Sequence, residues 1–585
     1  MINKKKTSFL IELIFLGLLV IYPMRHVNLG VDLMDGGYNY ANFIFDGQEY
    51  MGSMWFFATW SANIFGSFLT KLPGGSTMLG MNIYTTLLIS MMAVGAYLFC
   101  TRKMGLSKVL TFVGEMLALS LCWLPTAVLY TYLTYVFLLL GALFLYEGLS
   151  KDKKWYLVIA GICLGINVSV RFSNLPQMAL ILVVWFYAII NKKKLSKVLQ
   201  ETGFCILGYI AAMGVFMLVI ALRYGVEAYV AGVSQLFSMT EYATDYATDS
   251  MLWGMIGGYF KISYWLKRCV LAGGCAIIIC LVLPKKWRRV KQVITIGCMM
   301  VLLWWLKKSG FFTPDYKSYY SVYYPCVLVL LMTMGLAIFR MVDATVDKKD
   351  RMQAMLVLLL VLISSLGSNN AIFSTMNNLF LIMPVFLNML HQFIKEKKHI
   401  LFWPFQAILV MCTLLLFVQA LKFGWYYVYE EADGARDLSV KISGIPRLDG
   451  IRTGEQKAEN LEGLYAYLQD NDLLNQECIL FGDIPGISYY MDLVPAINIW
   501  SDLRSYSTQT MFKDMERMEE ESRQQEEFPL IIIHKKYWSY CDKGETEQLP
   551  QDPAVREKLD CICGFATKYE YSPWYNNEGF VVLGR

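Results

Sequence analysis

Charge is what this sequence has least of. Asp, Glu, Lys and Arg together make 17% of its 585 residues, whereas ordinary soluble domains carry about 25%. A chain this poor in charge, and 56% hydrophobic, is not written for water along its whole length. That excludes a cytosolic enzyme, a nucleic-acid-binding protein and a disordered scaffold. Histidine is scarcer still. His26, His391, His399 and His534 are all there is, so a zinc centre or a histidine-based triad has little to draw on. Cysteine is present but its pairing signals are not. Cys100, Cys163, Cys269, Cys275 and Cys412 lie in apolar runs as small hydrophobes. Only Cys478, Cys541, Cys561 and Cys563 fall in the polar C-terminal stretch, without C-x-x-C spacing. A bridge from Cys541 to Cys561 or Cys563 is expected if that stretch faces an oxidising space. Internal repeats are absent, and Gly482-Asp483-Ile484-Pro485-Gly486 lacks the lysine and the glycine spacing of a phosphate loop. It reads as a strand-to-helix turn with a packing and capping role.

What is abundant is apolar sequence in runs long enough to enter a ~30 Å hydrocarbon layer. They fall at 8–24, 77–99, 109–124, 127–148, 156–170, 175–190, 203–222, 264–283, 293–306, 325–341, 353–367, 378–394 and 400–421, about thirteen spans. The first follows Lys4–Lys6 without a small-residue cleavage site and reads as an uncleaved helix. Basic clusters at Lys4–Lys6, Arg102–Lys108, Lys151–Lys154, Lys192–Lys197, Lys285–Lys291, Arg340–Arg351 and Lys395–Lys398 occupy every second connection. Positively charged loops stay in the cytoplasm. The expected protein is therefore a multi-pass cell-membrane protein with a cytoplasmic N-terminus. Its other connections, and everything after residue 421, lie outside the cell.

The charge balance divides at the same place. From Lys422 to Arg585 there are 29 acidic and 17 basic residues, a net of −12, against +17 for the rest. Residues 1–421 are expected to form a polytopic α-helical membrane domain and 422–585 a soluble extracytoplasmic α/β domain. In the latter, Glu455–Leu474 and 506–526 read as helices, and Cys478–Phe481, Val494–Trp500 and Leu530–Ile533 as strands of a layered sheet.

The outer connections include two long segments, 25–76 and 223–263, and long loops on a rigid scaffold usually carry function. The first begins Gly30-Val31-Asp32-Leu33-Met34-Asp35-Gly36-Gly37-Tyr38-Asn39-Tyr40. Two carboxylates near the headgroup region are functional candidates, since ionised groups there need solvation or a partner. On a helix Asp32 and Asp35 would share a face. The plain alternative is two solvated acids with Asp35 as an N-cap. Arg171, in Asn167-Val168-Ser169-Val170-Arg171-Phe172-Ser173-Asn174, sits at the outer boundary between two spans. It either grips a phosphate bidentately or merely snorkels. Lys307 and Lys317 flank a tyrosine-rich run, and Ser368-Asn369-Asn370 brings amides to another outer end. Glu241, Asp245 and Asp249 repeat at i, i+4, i+8 and read as a solvated stripe, not a metal site. Gly254–Gly258 is expected to allow the 223–263 segment to hinge over a site.

A cytoplasmic N-terminus, one helix, an acidic first outer loop, about a dozen further helices and a soluble outer domain together resemble the GT-C membrane glycosyltransferases. The likeness is to the bacterial branch similar to protein O-mannosyltransferases and the lipid A aminoarabinose transferase. Asp35-Gly36-Gly37-Tyr38-Asn39-Tyr40-Ala41-Asn42 matches the family's Asp-x-Gly-Tyr-like stretch. Ser169-Val170-Arg171-Phe172-Ser173 stands where relatives run into Thr-Lys-Gly; it keeps a cation but changes its type and drops the glycine. The resemblance implies a GT-C-like fold and transfer of a sugar from a polyprenyl-phosphate donor to a glycan, lipid or protein acceptor on the extracytoplasmic face. By the same resemblance Asp35 is the general base, with Asp32 the alternative. Arg171 holds the donor phosphate, with Lys317 or Lys307 assisting, and Tyr38, Asn369 and Asn370 contact substrate. Family members differ in using a divalent cation, and nothing in these residues requires a metal or cofactor. Two other readings stay open: a polysaccharide polymerase or ligase, and a transporter of a lipid-linked saccharide, which would show repeats and midplane charges.

Overall fold

A hydrocarbon layer offers backbone groups no water, so an apolar run inside it must satisfy its own N–H and C=O groups. Each expected span accordingly falls on a helix in the computed structural model. The described residues are 2–44, 53–123, 125–238, 248–284, 286–313, 315–366, 368, 370–399, 402–431, 434–504, 506–543 and 552–585. Among them, nine helices are long and apolar enough to cross a bilayer, from Phe9–His26 to Trp403–Tyr426, which makes this a polytopic helical membrane protein. Four further helices are shorter: Lys108–Leu121, Lys154–Val170, Lys348–Ile363 and Ile382–Glu396, with 14, 17, 16 and 15 residues. At 1.5 Å per residue they fall short of a ~30 Å layer.

Five of the seven basic clusters take part in ion pairs at the helix ends they flank. Arg102 and Lys108 pair with Glu12 at 3.4 and 2.7 Å, and Lys193 pairs with Glu201 at 2.6 Å. Lys197 reaches Asp152 at 2.5 Å, Arg340 pairs with Glu396 at 2.8 Å, and Lys397 with Asp343 at 2.9 Å. All four short helices begin or end at full length on the side of these clusters. The residues they lack are at the opposite end, where the chain turns at Cys122–Trp123, at Arg171, and around the short helix Ile372–Asn377.

Both long connections are more helical than expected. The first carries helices Asp35–Ile44, Ser53–Ala58 and Trp60–Thr70, and the second Val226–Ser238 and Thr248–Phe260. Gly254–Gly258 lies inside the last of these, so it is not a hinge. A Cβ on Gly258 would sit 3.0 Å from the Tyr323 hydroxyl and the Ile372 side chain, so this glycine permits close packing. Glu241 and Asp245 lie outside the described residues. Asp32 and Asp35 do not share a helix: the helix starts at Asp35 and Asp32 precedes it.

Among the described residues the C-terminal region contains seven strands. β1 (Val440–Lys441) pairs antiparallel with β2 (Arg452–Thr453). β3 (Glu477–Phe481), β4 (Val494–Pro495), β5 (Leu530–His534), β6 (Ser572–Asn576) and β7 (Phe580–Gly584) form one sheet in the order β4-β3-β5-β7-β6. β3 is parallel to β4 and β5; β7 is antiparallel to β5 and β6. Helices Glu455–Asp470, Thr508–Gln525 and Pro553–Lys568 accompany it. The expected strand Val494–Trp500 is only two residues long, because the chain turns into the loop that supplies Asn498 and Trp500. The closing β6–β7 hairpin was not expected from the sequence; its turn residues 577–579 give a weak signal beside the strongly apolar β3 and β5. Cys541 is bonded to Cys563, which leaves Cys561 free.

This region is fastened directly onto the first connection. Gly30 N–H donates to Arg452 O and Arg452 N–H to Asn28 O, both at 2.8 Å. Gly486 N–H donates to Leu33 O at 2.8 Å, and the Tyr490 hydroxyl to Asp32 O at 2.7 Å. Helix Asp35–Ile44 lies so near the Gly486–Tyr490 turn that a Cβ on Gly37 would fall 2.2 Å from the Gly486 Cα. The Gly482–Gly486 stretch thus has the packing role its sequence suggested. Gly37→Ala is expected to destabilise the protein by about 1–3 kcal/mol, since neither backbone can yield cheaply. Gly254→Ala, which meets nothing within 4 Å, is the control. Equal thermal unfolding midpoints for the two variants would refute the close contact.

Candidate active site

Asp32 and Asp35 lie three residues apart and do different jobs. Asp32 is buried, 4% exposed, and its carboxylate accepts the backbone N–H groups of Met34 at 2.8 Å and Gly36 at 2.5 Å. It thereby caps the helix that begins at Asp35, taking donors that would otherwise lack a partner. Asp35 is the first residue of that helix. Its Oδ2 accepts the Tyr429 hydroxyl at 2.7 Å, and Oδ1 takes no hydrogen bond among the described residues. Burial raises the pKa of both carboxyls; the charge of Asp35 raises Asp32 further, and the Tyr429 hydrogen bond holds Asp35 down.

Asp35 opens into a polar cavity of about 120 Å³ whose lining includes Arg171, Asn174, Gln177, Ser368, Asn370, Tyr319, Tyr429 and Glu430. This is the space left by the shortened helices. Arg171 follows the end of Lys154–Val170 in extended conformation, φ −152° and ψ 120°. A buried amide network secures the break. Asn167 Nδ2 donates to Gln177 Oε1 at 2.7 Å, and Asn174 Nδ2 to Thr134 Oγ1 at 2.7 Å and Asn167 O at 2.9 Å. The Arg171 guanidinium lies 5.3 Å from the Tyr130 ring centre and has no carboxylate partner among the described residues. Asn377 Oδ1 accepts Trp123 N–H at 3.0 Å where the Lys108–Leu121 helix ends. A second cavity of about 130 Å³ lies beyond, lined by Asp32, Arg25, Asn82, Thr126 and Tyr427 among others. Trp123 and Tyr429 line both. They stack at 5.9 Å, and Trp123 stacks on Tyr319 at 4.5 Å, so an aromatic wall separates the two spaces.

The structure therefore brings Asp35, Arg171 and Asn370 to one cavity. It leaves others elsewhere. Lys307 is exposed in the last turn of Arg288–Lys308, and Lys317 is exposed with its N–H on Asp315 Oδ1 at 2.9 Å; neither lines the cavity. Tyr38 packs against Trp500 at 5.4 Å, facing the C-terminal sheet. Asn369 lies outside the described residues. Sequence reasoning missed Tyr429, Glu430 and Glu431, which follow the last membrane helix; an acidic pair there, level with the first outer loop, was the available signal. Glu431, 7% exposed, accepts Val31 N–H at 2.8 Å and Thr453 Oγ1 at 2.7 Å and pairs with Lys457 at 3.0 Å. Among the described residues no three His, Cys, Asp or Glu side chains group as a metal site.

No family model matches this sequence, and no curated protein matches it. Among solved structures the chain is similar to the oligosaccharyltransferase of Archaeoglobus fulgidus in complex with Zn and sulfate, with 10% identity, TM-score 0.46, and 97% of this chain and 73% of that one covered. It is similar to the Archaeoglobus fulgidus oligosaccharyltransferase AglB in complex with an inhibitory peptide and a dolichol-phosphate, with 11%, 0.45, and 98% and 74% covered. ArnT from Cupriavidus metallidurans bound to undecaprenyl phosphate gives 10%, 0.38, and 99% and 98%.

Two outcomes follow from this geometry. Tyr429→Phe removes a hydrogen bond that favours the ionised Asp35, so the titration of this carboxyl should move to higher pH. Infrared difference spectra against Asp35→Asn would locate it; a shift to lower pH, or none, would contradict the contact. Glu431→Gln should cost about 2–3 kcal/mol, as expected for losing charged hydrogen bonds in a buried place, read as a lowered thermal midpoint.

Proposed function

We propose that this protein is a GT-C-type glycosyltransferase that moves a sugar from a polyprenyl-phosphate donor to an acceptor hydroxyl on the extracytoplasmic face. The single observation that carries this is the meeting of a half-buried acid, Asp35, and the Arg171 guanidinium, which has no carboxylate partner among the described residues, on one polar cavity at the end of the bundle away from the basic clusters. Sugar nucleotides are cytoplasmic, so chemistry at that end calls for a donor that crosses the bilayer on a lipid.

Asp35 Oδ1 takes the proton of the acceptor hydroxyl. The acceptor oxygen bonds to the anomeric carbon as the carbon–oxygen bond to phosphate breaks, and the electron pair leaves on the polyprenyl phosphate. Arg171 is set to hold that phosphate and stabilise its growing charge. A single displacement of this kind inverts the anomeric centre. Asp35 stands at a helix N-terminus, whose dipole favours its ionised form; burial opposes this, which keeps the carboxylate basic. Asp32 positions it by capping the same helix. Asn370 and Tyr319 are suited to contact the sugar. Asp35 and Glu430 are the two carboxylates of the cavity that would hold a divalent cation, which would supply positive charge for the departing phosphate. The outward placement rests on the positive-inside pattern and agrees with a disulfide in the C-terminal region.

Asp35→Asn in membranes supplied with polyprenyl-linked sugar should lower turnover about 10²–10⁴-fold, the usual worth of a general base, with expression unchanged. Arg171→Ala should raise the donor KM roughly tenfold or more, as loss of charge-assisted hydrogen bonds does. Full activity in Asp35→Asn would sink the proposal. A larger donor effect from Lys307→Ala or Lys317→Ala than from Arg171→Ala would move the phosphate contact to those lysines.

A further inference from the structure

Outside the cavities at Asp35, a cleft of about 470 Å³ opens where the last membrane helix ends. It is lined by Tyr22, Tyr316, Leu421, Lys422, Trp425, Tyr426 and Arg436, and its volume is in the usual range for ligand sites, roughly 300–1,000 Å³. Its two cations come from opposite sides of a chain reversal. Lys422 lies in the last turn but one of Trp403–Tyr426, and Arg436 follows the segment that leaves the helix. Among the described residues neither has a carboxylate within ion-pair distance. The nearby Asp437 accepts the Tyr426 hydroxyl at 3.2 Å. The guanidinium of Arg25 stacks on the Tyr22 ring, 4.1 Å from its centre. Ordinary snorkelling would account for Lys422 alone; it does not bring in a second cation from beyond the helix.

The surface below the cleft says what kind of anion fits. Leu414, Val418 and Trp425 are 58%, 47% and 56% exposed. With Leu421, which lines the cleft, they fall at i, i+4, i+7 and i+11, one stripe of the helix facing the hydrocarbon. A free phosphate would use the cations and leave this stripe unused. A phospholipid would use both. We propose that this cleft binds the anionic headgroup of a bilayer phospholipid, with an acyl chain along the Leu414–Trp425 stripe.

The position gives the lipid a purpose. Ala435 N–H donates to Tyr426 O at 2.8 Å, and a Cβ on Gly434 would fall 2.2 Å from the Tyr426 ring, so the chain closes on itself at the cleft. Between these closing points lie Tyr429, Glu430 and Glu431, which hold Asp35 and clamp the first connection. A headgroup bridging Lys422 and Arg436 ties the neck of that loop, and so steadies the residues that position Asp35.

The test uses the full chain in nanodiscs of phosphatidylcholine, alone or mixed roughly three-to-one with phosphatidylglycerol, the anionic lipid being attracted by each cation. Native mass spectrometry reads retained lipid, and hydrogen exchange reads the amides of Tyr427–Glu431; neither depends on transfer activity. The wild type should retain phosphatidylglycerol at least about tenfold better than the Lys422→Gln, Arg436→Gln double variant, with slower exchange only in the anionic discs. Equal retention by the two proteins overturns the proposal. So does equal protection by inorganic phosphate added to neutral discs, which would make the site one for a free anion. Thermal midpoints of the two proteins in neutral discs should agree, which separates a lost lipid contact from a lost fold.

Discussion

The site exists because four helices stop early. In hydrocarbon a broken helix leaves backbone groups without partners at a cost of several kcal/mol each, so a break is tolerated only where the protein supplies the missing contacts. Here the breaks converge. Lys108–Leu121, Lys154–Val170, Lys348–Ile363 and Ile382–Glu396 all give way on the side away from the basic clusters, and side-chain amides close them. Asn377 serves the end at Trp123, and the Asn167–Asn174–Gln177 network serves the end at Arg171. The polar cavity is the volume these truncated ends vacate. Arg171, Asn370 and Trp123 reach it because each stands at or just past a break.

An acid is then delivered to that cavity from outside the bundle, and its placement depends on the C-terminal region. Helix Asp35–Ile44 is short and would be marginal by itself. It is capped by Asp32, pressed at Gly37 against Gly486, and flanked by Val31, whose N–H and C=O are held by Glu431 and Lys457. Glu431 and Lys457 come from either side of the junction between the last membrane helix and the sheet, so one ion pair fixes three segments at once. Buried pairs of this kind add little net stability, but losing one partner is costly. That asymmetry suits a device whose task is register. It also gives the C-terminal region a physical role that needs no ligand of its own.

Much of this was legible in the sequence, for identifiable reasons. Hydropathy placed the expected spans on helices, because a bilayer imposes a narrow range of length and composition, but it did not show the helices within the two long connections. The basic loops give an expected sidedness, and Asp35, Arg171 and Asn370, singled out in sequence as polar residues at helix limits, line one cavity. What was missed lacks a local signal. Tyr38 looked like a ligand, since nothing near it in sequence reveals Trp500. Lys307 and Lys317 carry the right charge, but helix packing decides which cations reach a cavity. Tyr429 to Glu431 became significant only through contacts with residues almost four hundred positions earlier.

The choice between the two acids of the first connection can be argued from hydrogen bonds alone. A general base needs a lone pair free to receive a proton along the path of attack. Both carboxylate oxygens of Asp32 are occupied by backbone donors of its own helix, and protonating either would uncap Asp35 and loosen the helix that carries it. Asp35 can accept a proton on Oδ1 without disturbing any backbone contact, while the Tyr429 bond to Oδ2 keeps the group oriented through the change. Asp32 therefore lines the second cavity with both oxygens committed to its helix, and Asp35 lines the first with Oδ1 taking no hydrogen bond among the described residues. The short spacing that made the pair seem interchangeable in sequence spans the boundary between a turn and a helix, and that boundary separates their hydrogen bonding.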